Sequence, residues 1–127
     1  METESLKATE AECAEGRTAP RVSLADLEAN ISTLAYFTAG DAVIYLCLPE
    51  IDKLVLEEDD RDNRQSLDVL TICLLVTRNG FTLIGKSAPA SPDNFDPVLG
   101  RKLAYEDAVR QLWPLINYTL RDKLAGL

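Results

Sequence analysis

Histidine is absent from this 127-residue chain, so Ser-His and Cys-His catalytic pairs and imidazole metal ligation are excluded at the outset. There is also no glycine-rich phosphate loop of the Walker type and no cluster with metal-ligand spacing, which leaves carboxylates such as Glu106 and Asp107 as the remaining candidate bases. The expectation is a binding or accessory protein rather than an enzyme, without metal or cofactor. Cysteine is scarce: Cys13, Cys47 and Cys73 form an odd set, and the latter two sit in apolar runs where a thiol behaves as a small hydrophobe. No apolar run is long enough to span a bilayer, and the N-terminal residues are acidic and polar rather than leader-like, so a cytoplasmic location without membrane contact is expected. Positive charge is in deficit. Thirteen Lys and Arg against 21 Asp and Glu give a net charge of -8, which argues against binding double-stranded DNA through its phosphates.

What the chain does have is enough apolar residue, 46%, for one core. Its charge is uneven: residues 1–77 carry 16 of the 21 acids and 6 of the 13 bases, leaving 5 acids and 7 bases in residues 78–127. Residues 1–21 show no apolar periodicity and read as a flexible N-terminal tail, with a single α+β domain over 22–127. Ser23 and Asp26 resemble a capping box, and Leu24, Leu27, Ile31 and Leu34 recur at helical spacing, predicting a helix over 24–34. Tyr36 to Asp41 interrupts the pattern with turn formers, and the apolar run 42–48 reads as a strand or a helical turn. Residues 49–66, with Glu57, Glu58, Asp59, Asp60 and Asp62, read as an acidic solvated connection or short exposed helix.

Residues 69–77 are β-branched and leucine-rich, and Asn79-Gly80 predicts a two-residue hairpin turn returning as a strand over 81–86. That turn would set Val76 opposite Leu83 and Leu75 opposite Ile84, leaving both hairpin faces apolar, so both need cover and a homo-oligomer is expected. Asp96-Pro97 fits an N-cap followed by proline at the first helical position, and Leu99, Leu103, Ala104, Ala108 and Leu112 continue one face. The helix is predicted over 97–113, with Pro114 kinking or restarting the chain. The predicted fold is therefore a central antiparallel hairpin packed with an N-terminal helix and a Pro-kinked C-terminal helical pair.

The candidate ligand-binding residues are Phe81, Lys86, Asn94, Phe95, Arg101, Lys102, Tyr105 and Arg110. Guanidinium forks suit phosphates and aromatic rings stack on bases, so this set points to a phosphorylated ligand. A plainer account competes: Lys102, Glu106 and Arg110 lie at i,i+4 spacing and can pair along a solvated helix, while Phe81, Phe95 and Trp113 can be core rings. Arg101 falls outside that ladder and is the strongest single candidate, with a salt bridge to Asp96 or Asp107 as its alternative role.

Several blocks in fixed order carry a resemblance: Tyr36-Phe37-Thr38-Ala39, Leu70-Thr71-Ile72-Cys73, Asn79-Gly80-Phe81-Thr82, Gly85-Lys86-Ser87-Ala88, Ser91 to Asp96, Gly100-Arg101-Lys102 and Leu112-Trp113-Pro114-Leu115. Over residues 23–124 the chain resembles a family of small tailed-phage and prophage proteins encoded among early accessory genes, with 49–66 as a variable connection. Lys86 stands where the family pattern has Glu, and Ala88-Pro89 where it has Ala-Cys, so no anionic or thiol role is expected there. The resemblance implies a protein acting in the host bacterial cytoplasm, where such proteins disable defences or redirect host enzymes. The expected function is counter-defence by sequestering a cyclic nucleotide or other phosphorylated signal; the alternative is an acidic inhibitor of a host protein.

Overall fold

The computed structural model describes residues 3–47 and 61–127. Its elements run α1 (Glu4–Ala14), α2 (Leu24–Ala29), β1 (Ile31–Thr38), α3 (Ala39–Cys47), α4 (Arg61–Asp68), β2 (Thr71–Thr77), β3 (Thr82–Ser87), a 3-10 turn (Pro92–Asn94) and α5 (Pro97–Leu124). The three strands form one antiparallel sheet in the order β1-β2-β3, so the architecture is α+β as expected, with β2 rather than a lone hairpin at its centre.

The sequence expectation of a tail fails over residues 4–14. Thr3 caps α1 by accepting from the Leu6 N–H at 3.3 Å, and the Leu6 side chain is completely buried in the core. One capped, leucine-anchored turn suffices to seat a helix whose apolar content is too small for periodicity to reveal. The Ser23 capping box is present with both reciprocal bonds, but α2 stops at Ala29 and not at 34. Ile31 and Leu34, spaced as helix residues, belong to β1, because pairing with Thr77 and Leu75 satisfies backbone groups along eight residues. The expected interruption at 36–41 is the end of β1 and the start of α3, which settles the apolar run as helix through Cys47. Of the acidic connection, positions 49–60 lie outside the described residues, and 61–66 begin α4.

β2 alternates cleanly: Thr71, Cys73, Leu75 and Thr77 are buried beneath α5, while Ile72, Leu74 and Val76 face the other way. The hairpin register is shifted by one from that predicted. Val76 pairs with Thr82, Leu75 with Leu83 and Leu74 with Ile84, which makes Arg78-Asn79-Gly80 a three-residue loop. Only Gly80 takes a positive φ, 87°, so the type I′ turn that needs two such residues does not form. Thr77 holds the loop instead, its hydroxyl accepting from the Phe81 N–H at 3.0 Å and bonding Asn79 Oδ1 at 2.6 Å. On the face away from α5, Ala35, Leu74 and Ile84 form a cross-strand row in which Leu74 and Ile84 are exposed.

Asp96 caps α5 by accepting from the N–H groups of Val98 and Leu99, and Pro97 occupies the first turn where no donor is needed. Gly100, Ala104, Tyr105, Ala108, Val109 and Leu112 form its buried stripe. Gly85 lets helix and sheet close up: a Cβ there would run into the Ala104 carbonyl and stand 2.8 Å from the Ala108 Cβ. The predicted helical pair is a correction too. α5 continues through Pro114 as one 28-residue helix, since Leu112 on one side and Ile116 and Leu120 on the other pack on the core and offset the lost backbone bond. Its side chains also close the outer edge of β3: Asp107 Oδ2 accepts the Lys86 N–H at 2.9 Å and Gln111 Nε2 donates to the Ile84 carbonyl at 2.8 Å.

Candidate functional site

At the end of the sheet opposite the hairpin loop, Thr38 pairs with Thr71 and the chain turns at once into α3. The Ala39 N–H donates to the Leu70 carbonyl at 2.9 Å and the Asp41 N–H to Thr38 Oγ1 at 3.2 Å, which fixes Asp41 beside the strand end. Gly40 is buried against Asp68, the last residue of α4; any side chain at 40 would overlap the Asp68 carboxylate. The first turn of α5 closes the opposite wall. A Cβ on Gly100 would stand 2.6 Å from the Thr71 hydroxyl oxygen and 3.6 Å from the Phe95 ring, and the Gly100 carbonyl accepts from Ser87 Oγ at 3.1 Å.

Between these walls lies a cavity of about 530 Å³. β1 contributes Tyr36, Phe37 and Thr38, α3 contributes Asp41 and Ile44, and Asp68, Thr71, Phe95, Pro97 and Arg101 complete it. The Tyr36, Phe37 and Phe95 positions, one guanidinium and two carboxylates therefore border one space, with the consecutive Tyr36 and Phe37 side chains on opposite faces of β1. Rings offer stacking faces, Arg101 offers a fork for an anionic group, and Asp41 and Asp68 can accept from amines. Behind the lining, burial raises the Tyr36 phenol above its usual pKa, and the Cys73 thiol and the Tyr105 phenol beside it push the same way, against a smaller opposing pull from Arg101. Burial likewise raises Cys73. With Tyr36 and Cys73 both held neutral near pH 7, the charged side chains bordering the cavity are those of Arg101, Asp41 and Asp68.

Of the candidate residues read from the sequence, the structure brings Phe95 and Arg101 together in this cavity. Asn94 is exposed in the 3-10 turn just before Phe95, and Lys102 is half-buried on α5. Tyr105 is completely buried in the core. Lys86 stands on the sheet face away from α5, opposite Ile72. Arg110 turns to α1, its guanidinium donating to Ser5 Oγ at 2.7 Å and pairing with Glu106 at 3.3 Å, so that half of the expected ladder exists. Nine helical positions separate it from Arg101, roughly half a turn out of phase, and the two cannot face one ligand within a chain. Phe81 sits at the hairpin tip, in a different cavity of about 240 Å³ beside Leu115 and Tyr118. Sequence reading missed Tyr36, Thr38, Asp41, Asp68 and Thr71 as site residues. The signal for Tyr36, Thr38 and Asp41 was the strand-end block Tyr36 to Asp41, which β1–β2 pairing brings beside Thr71; Asp68 carried no such signal.

The family model described as Phage protein (N4 Gp49/phage Sf6 gene 66) family matches residues 22–124. The chain belongs to this phage protein family. No curated protein and no solved structure matches it. Within the Gp49/gene 66 family span lie every strand and every lining residue of the Arg101 cavity, whereas α1 lies wholly before it. Among the described residues of this family member, no group of three or more Cys, Asp or Glu side chains could hold a metal ion, and no helix is long and apolar enough to cross a membrane.

Proposed function

We propose that this phage protein is a counter-defence accessory protein that binds and sequesters a cyclic-nucleotide-type or otherwise phosphorylated immune signal in the host cytoplasm, without catalysis. The observation that supports this reading is the placement of Arg101 in a cavity lined by Tyr36, Phe37 and Phe95. The rings stack a base, the guanidinium pairs with a phosphate, and Asp41 or Asp68 accepts from an exocyclic amine. Because the cavity holds two carboxylates to one guanidinium, its selectivity rests on a ligand with amine donors beside its phosphate. Lys86 and Arg110, which face elsewhere, join such a site only if a second subunit presents them, so a role for them entails a homo-oligomer.

Isothermal calorimetry of the full chain against cyclic di- and trinucleotides and cyclic ADP-ribose isomers tests the proposal. Micromolar or tighter binding that Arg101→Ala abolishes is expected. Silence across the panel overturns it in favour of the second reading, an acidic inhibitor of a host protein, which the net charge of -8 favours; a host protein retained on the immobilised chain and released by salt then identifies that partner.

A further inference from the structure

We infer that the cavity at the hairpin tip is a second ligand site, which takes the base of a free purine mononucleotide against the Phe81 and Tyr118 rings and its phosphate at Lys123. It shares no residue with the Arg101 cavity, so it stands or falls apart from the function proposed above.

The hairpin loop and α5 build it together. The Arg78-Asn79-Gly80 loop delivers Phe81 at 54% exposure, and α5, running on through Pro114, brings Tyr118 to the same cavity at 70% exposure. Neither ring is spent on the core, and both offer faces for stacking. No charged side chain lines this cavity, and its volume of about 240 Å³ is too small for a dinucleotide but suits one flat ring system.

Two amides supply the polar recognition. Asn79 Oδ1 is occupied inside the loop, accepting from the Thr77 hydroxyl at 2.6 Å and from the Phe81 N–H at 3.2 Å, which leaves Nδ2 as a donor. Asn30 is fixed in the opposite sense: its Nδ2 donates to the Asp26 carbonyl at 3.0 Å, which leaves Oδ1 as an acceptor. Flipping either amide would break these bonds, so the two orientations are set by the fold. Both residues border the cavity, and among the described residues neither remaining atom has a partner. One donor and one acceptor match the edge of a nucleobase, which presents both on neighbouring atoms; a phenylalanine or leucine side chain from a partner would leave them unpaired.

Asn30, Asn79, Ile116 and Thr119 also line an adjoining cavity of about 400 Å³, which reaches Arg21, Asp26 and Lys123. Arg21 is paired with Glu10 and Asp26 closes the Ser23 capping box, whereas Lys123 has no ion pair among the described residues. Lys123 is therefore the cation left for a phosphate carried by the bound base. One ammonium suits one phosphate, and the net charge of -8 opposes a polynucleotide.

The test uses the full chain carrying Arg101→Ala, which removes the guanidinium of the other cavity, titrated by calorimetry with adenosine and guanosine monophosphates. Both should bind with millimolar or tighter Kd; binding of neither overturns the inference. Asn79→Asp keeps the oxygen that the loop uses and replaces the free donor by an acceptor. A pair of acceptors matches the N1–H and N2–H donors of guanine and repels N1 of adenine, so the guanosine-to-adenosine affinity ratio should rise at least fivefold. The added charge repels both phosphates alike and does not enter the ratio. A smaller rise overturns the inference. Should Asn79→Asp prevent folding by circular dichroism, Tyr118→Ala serves instead, with at least a fivefold loss of affinity for adenosine monophosphate expected and a smaller loss overturning it. An oligo(dA) strand that binds more tightly than adenosine monophosphate assigns the base to single-stranded nucleic acid and overturns the mononucleotide.

Discussion

The two ends of the Gly85-to-Gly100 contact between sheet and α5 use glycine to opposite effect. At Gly85 the strand lies directly on the helix backbone at Ala104 and Ala108, and nothing is left between them. At Gly100, one and a half turns earlier, the helix also comes close to the sheet at Thr71, but the neighbouring Phe95 and Arg101 diverge from it and border a cavity of about 530 Å³. Close backbone contact fixes where α5 sits; the residues just beyond that contact are freed to line a site. The lesson is that a tight seam and an open pocket are produced by the same helix within two turns, and substitutions should separate them.

The largest effect belongs to the seam. Gly85→Val places atoms inside the Ala104–Ala108 backbone and is expected to cost about 3 kcal/mol or more, or to abolish folding, as read by the urea midpoint. Next comes the junction between seam and pocket. Asp96→Ala removes the cap of α5 and should cost about 1 kcal/mol while weakening any ligand bound at Arg101, measured by the same denaturation and by calorimetry. A smaller effect should come from pH. Tyr36 and Cys73 both have raised pKa values in the fold. Unfolding returns them to ordinary values, so at alkaline pH the unfolded chain releases protons that the folded chain retains, and stability falls as pH rises above about 9. Tyr36→Phe should flatten that fall in denaturation midpoints compared at pH 7 and pH 10. Smallest of all, Arg101→Ala should change stability by no more than about 0.5 kcal/mol, since its side chain is exposed at the pocket. A large loss there would make Arg101 part of the seam.

How far the sequence revealed this depends on whether the signal was local. The Ser23 box, the Asp96-Pro97 start of α5 and the β2–β3 pairing are short-range chemistry and were legible. Ile31 and Leu34 misled because residues spaced three apart satisfy a helix, while the strand they join is decided by Leu75 and Thr77, more than 40 positions away. The hairpin register slipped by one because Thr77 competes for the loop through its hydroxyl, a bond that propensity for Asn-Gly does not include. α1 escaped notice because a single leucine anchors it. In the site, Phe95 and Arg101 were legible as close neighbours in sequence, flanking the capped start of α5. Asp41 and Asp68 were not, since helices on either side of positions 48–60 supply them and the packing of α3 on α4, with Gly40 against Asp68, brings the two together.

The closure of β3 by Asp107 and Gln111 has a bearing on how copies of this protein can add to one another. Growth of a ribbon by strand addition needs two adhesive margins per subunit, one to receive and one to offer. With the Lys86 N–H and the Ile84 carbonyl of the β3 margin already bonded to the chain's own helix, that margin offers an incoming strand a broken ladder. Strand addition is thereby hindered at the β3 margin, however apolar the row formed by Ala35, Leu74 and Ile84.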